Sequence, residues 1–313
     1  MILPNMSESL GVWLATDNYS GGGDAKTISA TDFQRSVRQF VLGRRVDPAL
    51  ATPNLNSLLA SRIGQAIHDA IERSWTGPGL VKALEALGLP AHRYIVNPTG
   101  PVPDGMLAVY VEQRTEKVLD GWTITGQYDI IICGQLHDVK SSKSYVIQKR
   151  LHDTKWAMQG SIYRWLNPEV ITDDSVVIEC VVLDWTAAGA TASPEYPQQQ
   201  WVSIRLKLKS IQETESFLRT KLAQITKHLN TPEPELPECT DEDLWRGDTE
   251  FAYYANPDAT GRCSKKFDNK HDAIKHMSEK GKGRIDDRPG KPKACTYCPA
   301  APLCTQRLRY LNE

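Results

Sequence analysis

The chain has 313 residues, of which 37 are basic and 38 acidic, giving a formal net charge of −1. Forty per cent hydrophobic and 24% charged residues are typical of a folded globular protein and exclude wholesale disorder. No stretch approaches the roughly 18 apolar residues that a membrane-spanning helix needs, and the N-terminus lacks a basic-then-apolar signal sequence. We therefore expect a cytoplasmic protein without membrane association.

Residues 1–28 are expected to be irregular, with a flexible turn at Gly21–Gly23. Beyond them, apolar residues at helical spacing predict helices, and β-branched runs punctuated by glycine predict strands. In chain order the prediction is a helix that starts after Ser29 or Thr31, a helix over 55–75, a short helix to Leu89, strands at 106–111, 122–132 and 136–139, a helix over 144–166, strands at 176–183 and 201–208, and a helix over 211–229.

This order of elements predicts an α/β (α+β) fold in which a central mixed β-sheet is flanked by helices. Residues 29–230 would form that core. A stiff proline-containing linker, Thr231–Pro237, follows the last helix. Residues 231–313 are then expected to form a basic C-terminal module that carries a cysteine cluster and packs on the core.

The C-terminal module concentrates positive charge. Between Gly261 and Lys293, eleven Lys or Arg stand against five Asp or Glu, a net charge of +6, so the remaining 280 residues carry −7. A basic patch of this kind is typical of a protein that binds a phosphate-bearing partner. A solvated, lysine-rich surface loop would have the same composition, so charge alone leaves both interpretations open.

A predicted hairpin over residues 126–142, GQYDIIICGQLHDVKSS, carries the most informative polar residues. If its loop has two or four residues, Ile132 pairs with His137, and alternate side chains of the two strands share a face. A loop of three residues would break that parity. The side chains expected on the shared face are those of Asp129, Asp138 and Lys140, with Asp129 opposite Lys140.

Two carboxylates about one side chain apart can hold a hard divalent cation such as Mg²⁺ or Mn²⁺. A lysine beside them can neutralise charge that develops on a phosphate, or position an attacking water. The triplet Asp-x-Lys occurs four times in the chain, so only its place at the end of an apolar hairpin strand is informative. An exposed, salt-bridged hairpin end is the alternative interpretation.

Two predicted helices add polar residues at helical spacing. Gly64, His68 and Glu72 are four residues apart and share a face, so His68 could offer an imidazole to a metal and Glu72 a carboxylate. A lone histidine on a helix is more often a core or surface residue than a ligand. In the later helix, Gln159 and Tyr163 could contact a phosphate or orient a catalytic lysine, although packing in the core is the default for a tyrosine.

The ordered series G-x3-H-x3-E, G-x2-D, D-x-K and Q-x3-Y resembles the PD-(D/E)XK nuclease superfamily, in particular its RecB-like branch. That branch includes the nuclease domains of RecB and AddB, CRISPR-associated RecB-like exonucleases and phage RecB-like nucleases. The resemblance covers residues 29–310 and implies a restriction-endonuclease-like core. It also implies that His68, Asp129, Asp138 and the Val139 carbonyl are metal ligands, that Lys140 is the catalytic lysine, that Gln159 and Tyr163 form the motif after the hairpin, and that Glu72 is an additional acid of the site.

Three of the seven cysteines, Cys295, Cys298 and Cys304, fall within the last twenty residues. In a chain without an export signal, such a cluster indicates metal or thiol chemistry more than disulfides. Their spacing resembles that of the [4Fe–4S] cluster in the RecB-like branch, but thiolates also bind Zn²⁺, so spacing does not name the metal. In that branch the fourth cysteine comes from an early helix, where this chain has Ser36. The candidates for the fourth ligand are Cys263 first, then Cys239, or His271 or His276 for a zinc site.

The resemblance thus implies a Mg²⁺- or Mn²⁺-dependent deoxyribonuclease, an exonuclease that acts on linear DNA ends, single-stranded ends included, in recombination, repair or phage DNA processing. Recombination or helicase proteins are the expected partners. Residues 261–293, together with Lys143, Lys149 and Arg150, would bind the phosphates. The alternatives are a structure-specific endonuclease of the same fold, a non-catalytic DNA-binding or assembly protein, and a zinc-stapled interaction module. A pure binding module gains nothing from a pair of like-charged carboxylates, which argues against the second alternative.

Overall fold

The computed structural model describes residues 6–16, 24–47 and 55–310. The chain divides into two compact units. The first, which we call the sheet unit, comprises Met1–Gln34 and Pro53–Gln224, and the second, the cysteine unit, comprises Arg35–Thr52 and Ile225–Glu313. The predicted turn at Gly21–Gly23 lies outside the described residues. None of the described helices is both long and apolar enough to cross a membrane.

The helices and strands of the described residues follow the predicted order with a few additions. The helices are α1 (Glu8–Ala15), α2 (Val37–Gly43), α3 (Leu55–Thr76), α4 (Leu80–Ala86), α5 (Ser144–Gln148), α6 (Asp153–Leu166), α7 (Ala187–Ala192), α8 (Ile211–His228) and α9 (Lys270–Lys280). The strands are β1 (Thr27–Ser29), β2 (Tyr94–Val96), β3 (Leu107–Leu119), β4 (Trp122–Ile132), β5 (Gln135–Ser142), β6 (Ser175–Val182), β7 (Trp201–Lys207), β8 (Glu250–Tyr254), β9 (Lys265–Phe267) and β10 (Arg284–Arg288).

The sheet unit is built on one seven-stranded sheet in the order β2-β3-β4-β5-β6-β7, with β1 paired to the first half of β4. The pairs β1–β4, β2–β3 and β5–β6 are parallel and the others antiparallel, so the predicted central mixed sheet flanked by helices is confirmed. Strand β6 is apolar and mostly buried because it lies inside the sheet, between β5 and β7.

Gly126 allows α6 to approach β4 closely. A Cβ atom at this position would lie 2.8 Å from Leu166 Cδ1 and 3.0 Å from the ring of Tyr163, both on α6. Any larger side chain would force the helix away from the sheet. The glycine of the predicted G-x2-D motif therefore sets the distance between α6 and the strand that carries Asp129.

The hairpin β4–β5 has a two-residue turn, Cys133–Gly134, with φ values of +50° and +87°. This is one of the two loop lengths that the prediction required. The predicted pairing of Ile132 with His137 is wrong by two residues, because the ladder starts directly at the turn with Ile132 opposite Gln135. A shift of two residues preserves the faces, but it places Asp129 in register with Asp138, not with Lys140.

Three predicted boundaries differ from the structure. The first predicted helix begins at Val37, because Ser36 caps it and forms a reciprocal capping box with Gln39. The predicted helix 144–166 is two helices, separated where Arg150 has a φ of +53°. Residues 1–28, expected to be irregular, contain α1, whose first turn is capped by the Ser7 side chain.

The cysteine unit contains α2, α9 and a three-stranded antiparallel sheet in the order β10-β8-β9. The basic segment 261–293 is folded into β9, α9 and β10, so it is not simply a solvated loop. Asn269 caps the start of α9 and Gly281, with a φ of +66°, ends it. The unit also includes residues 35–47 of the described chain, so its boundary differs from the predicted 231–313.

Candidate metal centre

Glu112 on β3 and Asp129 on β4 lie opposite each other on neighbouring strands of the sheet. The ladder pairs Val111 with Ile130, which makes Glu112 and Asp129 the next opposed positions. Glu112 has a φ of +49°, in the left-handed region, and the regular ladder is interrupted there. Backbone strain of this kind in the middle of a strand is concentrated at functional sites, where surrounding contacts hold the residue in place.

His68 on α3 completes a group of three ligating side chains. Its Nδ1 atom lies 3.4 Å from Asp129 Oδ1 and 3.8 Å from Glu112 Oε1. One ligand atom from each of the three residues lies within 4.8 Å of the other two. Two carboxylate oxygens and an imidazole nitrogen at this spacing fit a divalent metal ion.

The carboxylates of Glu112 and Asp129 create a negative electrostatic potential around His68. Burial works against protonation of His68, but its hydrogen bonds to Asp129 and Glu112 prevail and raise its pKa to about 10. The imidazolium therefore supplies the positive charge between the carboxylates here. A divalent cation would satisfy the same electrostatic demand.

Beside the three candidate ligands, the buried Asp138 forms an ion pair with Lys140, which is partly exposed at the cleft. Asp138 is 2% exposed, and its Oδ2 atom lies 2.6 Å from Lys140 Nζ. Burial raises the pKa of Asp138 to about 6, against the opposing effect of Lys140. Burial would lower the pKa of Lys140, but Asp138 and Asp129 together raise it above its usual value, so the lysine stays charged.

Two details of this strand bear on metal binding. Asp138 Oδ1 is buried and has no hydrogen-bond partner among the described residues, so its lone pairs are available to a cation. Asp129 Oδ2 accepts a hydrogen bond of 2.6 Å from the Val139 backbone N–H, which fixes the carboxylate against β5. The proposed role of the Val139 carbonyl as a ligand stays a prediction.

A single cleft gives access to these groups. Its wall includes His68, Glu112, Asp129, Lys140 and Gln159. Asp138 lies behind that wall.

Gln159 on α6 is part of the cleft wall, and Tyr163 lies one helical turn further along the same helix. Gln159 Nε2 donates a hydrogen bond of 2.7 Å to Tyr163 Oη, and both side chains are buried. Tyr163 does not line the cleft, and the hydrogen bond to Gln159 connects it to the cleft wall.

The structure thus brings His68, Asp129, Asp138, Lys140 and Gln159 to one place. Glu72, predicted as an additional acid, is exposed on α3 and is not part of the cleft wall. Its role stays a prediction, as do the catalytic roles of the other residues.

Glu112 was missed because no motif includes it. A signal was present: Asp120-Gly121 is a typical two-residue hairpin turn, and it pairs Leu119 with Trp122. Counting back from that pair places Glu112 opposite Asp129.

The cysteine unit holds a cluster of four thiols. Cys239, Cys295, Cys298 and Cys304 line one small pocket, whereas Cys263, the first candidate for a fourth ligand, does not line it. Neither His271 nor His276 lines it. His276 instead packs against the rings of Tyr253 and Phe267.

The N-terminal end of α2 meets this pocket. Ser36 Oγ lies 3.1 Å from Cys239 Sγ, and Arg38 Nη1 lies 3.9 Å from Cys304 Sγ. Cys239 therefore lies beside the helix from which the resemblance would draw the fourth cysteine.

The four thiols are not gathered around one ion-sized point in this structure. Among the described residues, no three cysteine sulfurs lie within 4.8 Å of one another. Thiolates bind both Zn²⁺ and iron–sulfur clusters, so the donor set is compatible with either metal.

Comparison with known proteins gives only distant likenesses. No protein-family model matches the sequence, and no curated protein matches it. A solved structure named SSO0001 has a TM-score of 0.42 at 16% identity, covering 68% of this chain and 83% of that chain. A phage related exonuclease from Haemophilus somnus 129PT has a TM-score of 0.30 at 15% identity, covering 71% of this chain and 94% of that chain. Likenesses at this level do not identify the activity of this chain.

The geometry predicts that Glu112 contributes directly to metal affinity. Replacing Glu112 with Gln removes one of the two facing charges, so Mn²⁺ affinity measured by titration calorimetry should fall by about tenfold or more. The matched control is Glu116→Gln, the same chemical change on the same strand at an exposed position outside the cleft wall, which should leave the affinity unchanged. Equal losses in the two variants would show that the metal does not bind at Glu112.

Proposed function

We propose that the chain is a metal-dependent deoxyribonuclease that hydrolyses phosphodiester bonds, with exonuclease action on linear ends. The observation that carries the proposal is the combination of the candidate ligands His68, Glu112 and Asp129 with the partly buried Lys140 at the same cleft. A carboxylate-rich metal site next to a charged lysine suits attack of water on a phosphate, in which negative charge develops on the phosphate oxygens.

Each residue has a distinct role in this proposal. His68, Glu112 and Asp129 would hold Mg²⁺ or Mn²⁺, and Asp138 Oδ1 offers a further oxygen. A bound metal of this kind supplies Lewis-acid polarisation of the phosphate and lowers the pKa of water. The ammonium of Lys140, held by Asp138 at 2.6 Å, would stabilise the charge that develops on the phosphate.

Gln159 would use its amide to orient a substrate oxygen or Lys140 at the cleft wall. Tyr163 is a positioning residue in this proposal, because its hydroxyl accepts the hydrogen bond of Gln159.

The basic segment 261–293 supports DNA as the substrate. Part of its charge is neutralised within the unit, since Lys266 pairs with Glu250 and Lys270 with Asp287. Other lysines have no ion-pair partner among the described residues and remain available to phosphates. These are Lys275, Lys280 and Lys282. Lys143, Lys149 and Arg150, close in sequence to the β4–β5 hairpin, would add contacts, and a role in recombination, repair or phage DNA processing follows the resemblance.

The first experiment compares degradation of linear and circular DNA in Mg²⁺ or Mn²⁺. We expect loss of linear but not circular DNA, and a decrease in rate of about 100-fold or more in Lys140→Ala because the charge that stabilises the transition state is removed. Lys82→Ala, an exposed lysine of α4 outside the cleft wall, is the matched control and should retain the full rate.

Two outcomes would favour the alternatives. Cutting of circular DNA would establish a structure-specific endonuclease. Binding of DNA without hydrolysis of either substrate would establish the non-catalytic DNA-binding protein.

We also propose that the cysteine pocket holds a [4Fe–4S] cluster whose fourth ligand is Cys239. The donor set fits, because four thiols from two distant segments of the chain surround one pocket. The spacing of Cys295, Cys298 and Cys304 resembles that of the cluster in the RecB-like branch, and zinc bound to the same thiolates is the alternative.

Cysteine variants test this assignment without any activity assay. Cys239→Ser should lose most of the iron, acid-labile sulfide and visible absorbance of anaerobically purified protein, because a serine oxygen is a poor ligand for a cluster. Cys263→Ser makes the same chemical change outside the pocket and should retain all three. Stoichiometric zinc in a colourless wild-type protein, or loss of iron in Cys263→Ser alone, would contradict the proposal.

A further inference from the structure

A partly exposed tryptophan lines the cleft of the candidate metal centre. Trp13 on α1 is 40% exposed, while its neighbour Leu14 is 2% exposed, so the helix buries one side and leaves the indole uncovered. Trp13 lines the same cleft as His68, Asp129 and Lys140. Among the described residues it forms no hydrogen bond and no contact with another ring, and it is the only Phe, Tyr or Trp in the cleft wall.

The position of Trp13 is tied to the helix that carries a metal ligand. Arg62 Nε, on α3, donates a hydrogen bond of 3.1 Å to the Leu14 carbonyl, next to Trp13. Arg62 precedes His68 by six residues on that helix, which corresponds to about 9 Å along its axis. The helix that carries His68 therefore also holds the segment that carries Trp13, and both side chains line the same cleft.

The surroundings of Trp13 suit a nucleobase. Apart from Gly64 and Ala66, the remaining cleft wall is made of polar side chains. It includes the guanidinium groups of Arg62 and Arg114 and the amides of Gln65 and Gln127. Every base has a π-face that can stack on an indole, and such stacking tolerates any sequence. A base inside a duplex is already stacked on both faces, so only an unpaired base can use this surface.

We propose that Trp13 is a stacking platform for an unpaired base close to the scissile phosphate, so that the substrate is single-stranded DNA or a frayed end. This inference rests on the proposed nuclease function and names the substrate class of the same site. Leu10 and Val12 are also exposed on α1, but they do not line the cleft. A protein partner on α1 would need those two side chains, whereas a base needs Trp13 alone.

Binding of labelled single-stranded oligonucleotides, measured by fluorescence anisotropy without divalent metal, tests the proposal. Trp13→Ala should weaken binding by about fivefold to a hundredfold, the range expected for loss of one base–aromatic stack. Trp13→Phe should restore most of the affinity, because a phenyl ring still stacks. Leu10→Ala, on the same helix but outside the cleft wall, should bind as the wild type does.

A scan with a single abasic nucleotide separates stacking from a general loss of binding. In the wild type, one position near the end should lower the affinity as much as Trp13→Ala does, and the variant should be insensitive to an abasic nucleotide at that position. The salt dependence of binding should be the same in both proteins, because no phosphate contact is lost.

Three results would overturn the inference: wild-type affinity in Trp13→Ala, an equal loss on every abasic oligonucleotide, or the same loss in Leu10→Ala. Failure of the wild type to bind any DNA would instead contradict the proposed function itself. Hydrolysis that prefers duplex DNA and is indifferent to Trp13→Ala would leave the nuclease proposal intact and reject the platform.

Discussion

The site depends on one constraint, which is that the β3–β4 hairpin holds the carboxylates of Glu112 and Asp129 opposite each other. The Asp120-Gly121 turn fixes the pairing of β3 with β4, and that register places Glu112 directly opposite Asp129. Opposed carboxylates in a sheet repel each other, and Glu112 adds a strained backbone. The arrangement is tolerable only if positive charge lies close by, and His68 and Lys140 supply it from α3 and β5. The same charge balance makes the site attractive to a divalent cation.

The rest of the sheet unit serves to hold these groups at one cleft. The two-residue turn Cys133–Gly134 places β5 against β4, which brings the Asp138–Lys140 ion pair beside Asp129. Gly126 lets α6 approach β4, so Gln159 reaches the cleft wall. Each of these steps depends on a turn or a glycine with few permitted alternatives.

Much of this arrangement follows from the sequence, and the failures have physical causes. Periodicity predicts the mixed sheet and the helix that carries His68. It also predicts the face that Asp129, Asp138 and Lys140 share. The predicted register of the β4–β5 hairpin was wrong by two residues, because periodicity fixes only the face of the sheet on which a side chain lies. The sequence-based prediction missed Glu112, because the β3–β4 hairpin that places it opposite Asp129 is outside the recognised motifs. Cys239 was ranked below Cys263 because sequence spacing does not show which thiols a fold brings together.

Anomalous diffraction from a crystal soaked in Mn²⁺ would show whether the facing carboxylates bind a metal. We expect a peak within about 2.6 Å of carboxylate oxygens of both Glu112 and Asp129, with His68 turned towards it. In Glu112→Gln crystals soaked in parallel the peak should weaken or vanish. A wild-type crystal with no peak between these two carboxylates, or with manganese bound only elsewhere, would show that the facing carboxylates are a structural feature and not a metal centre.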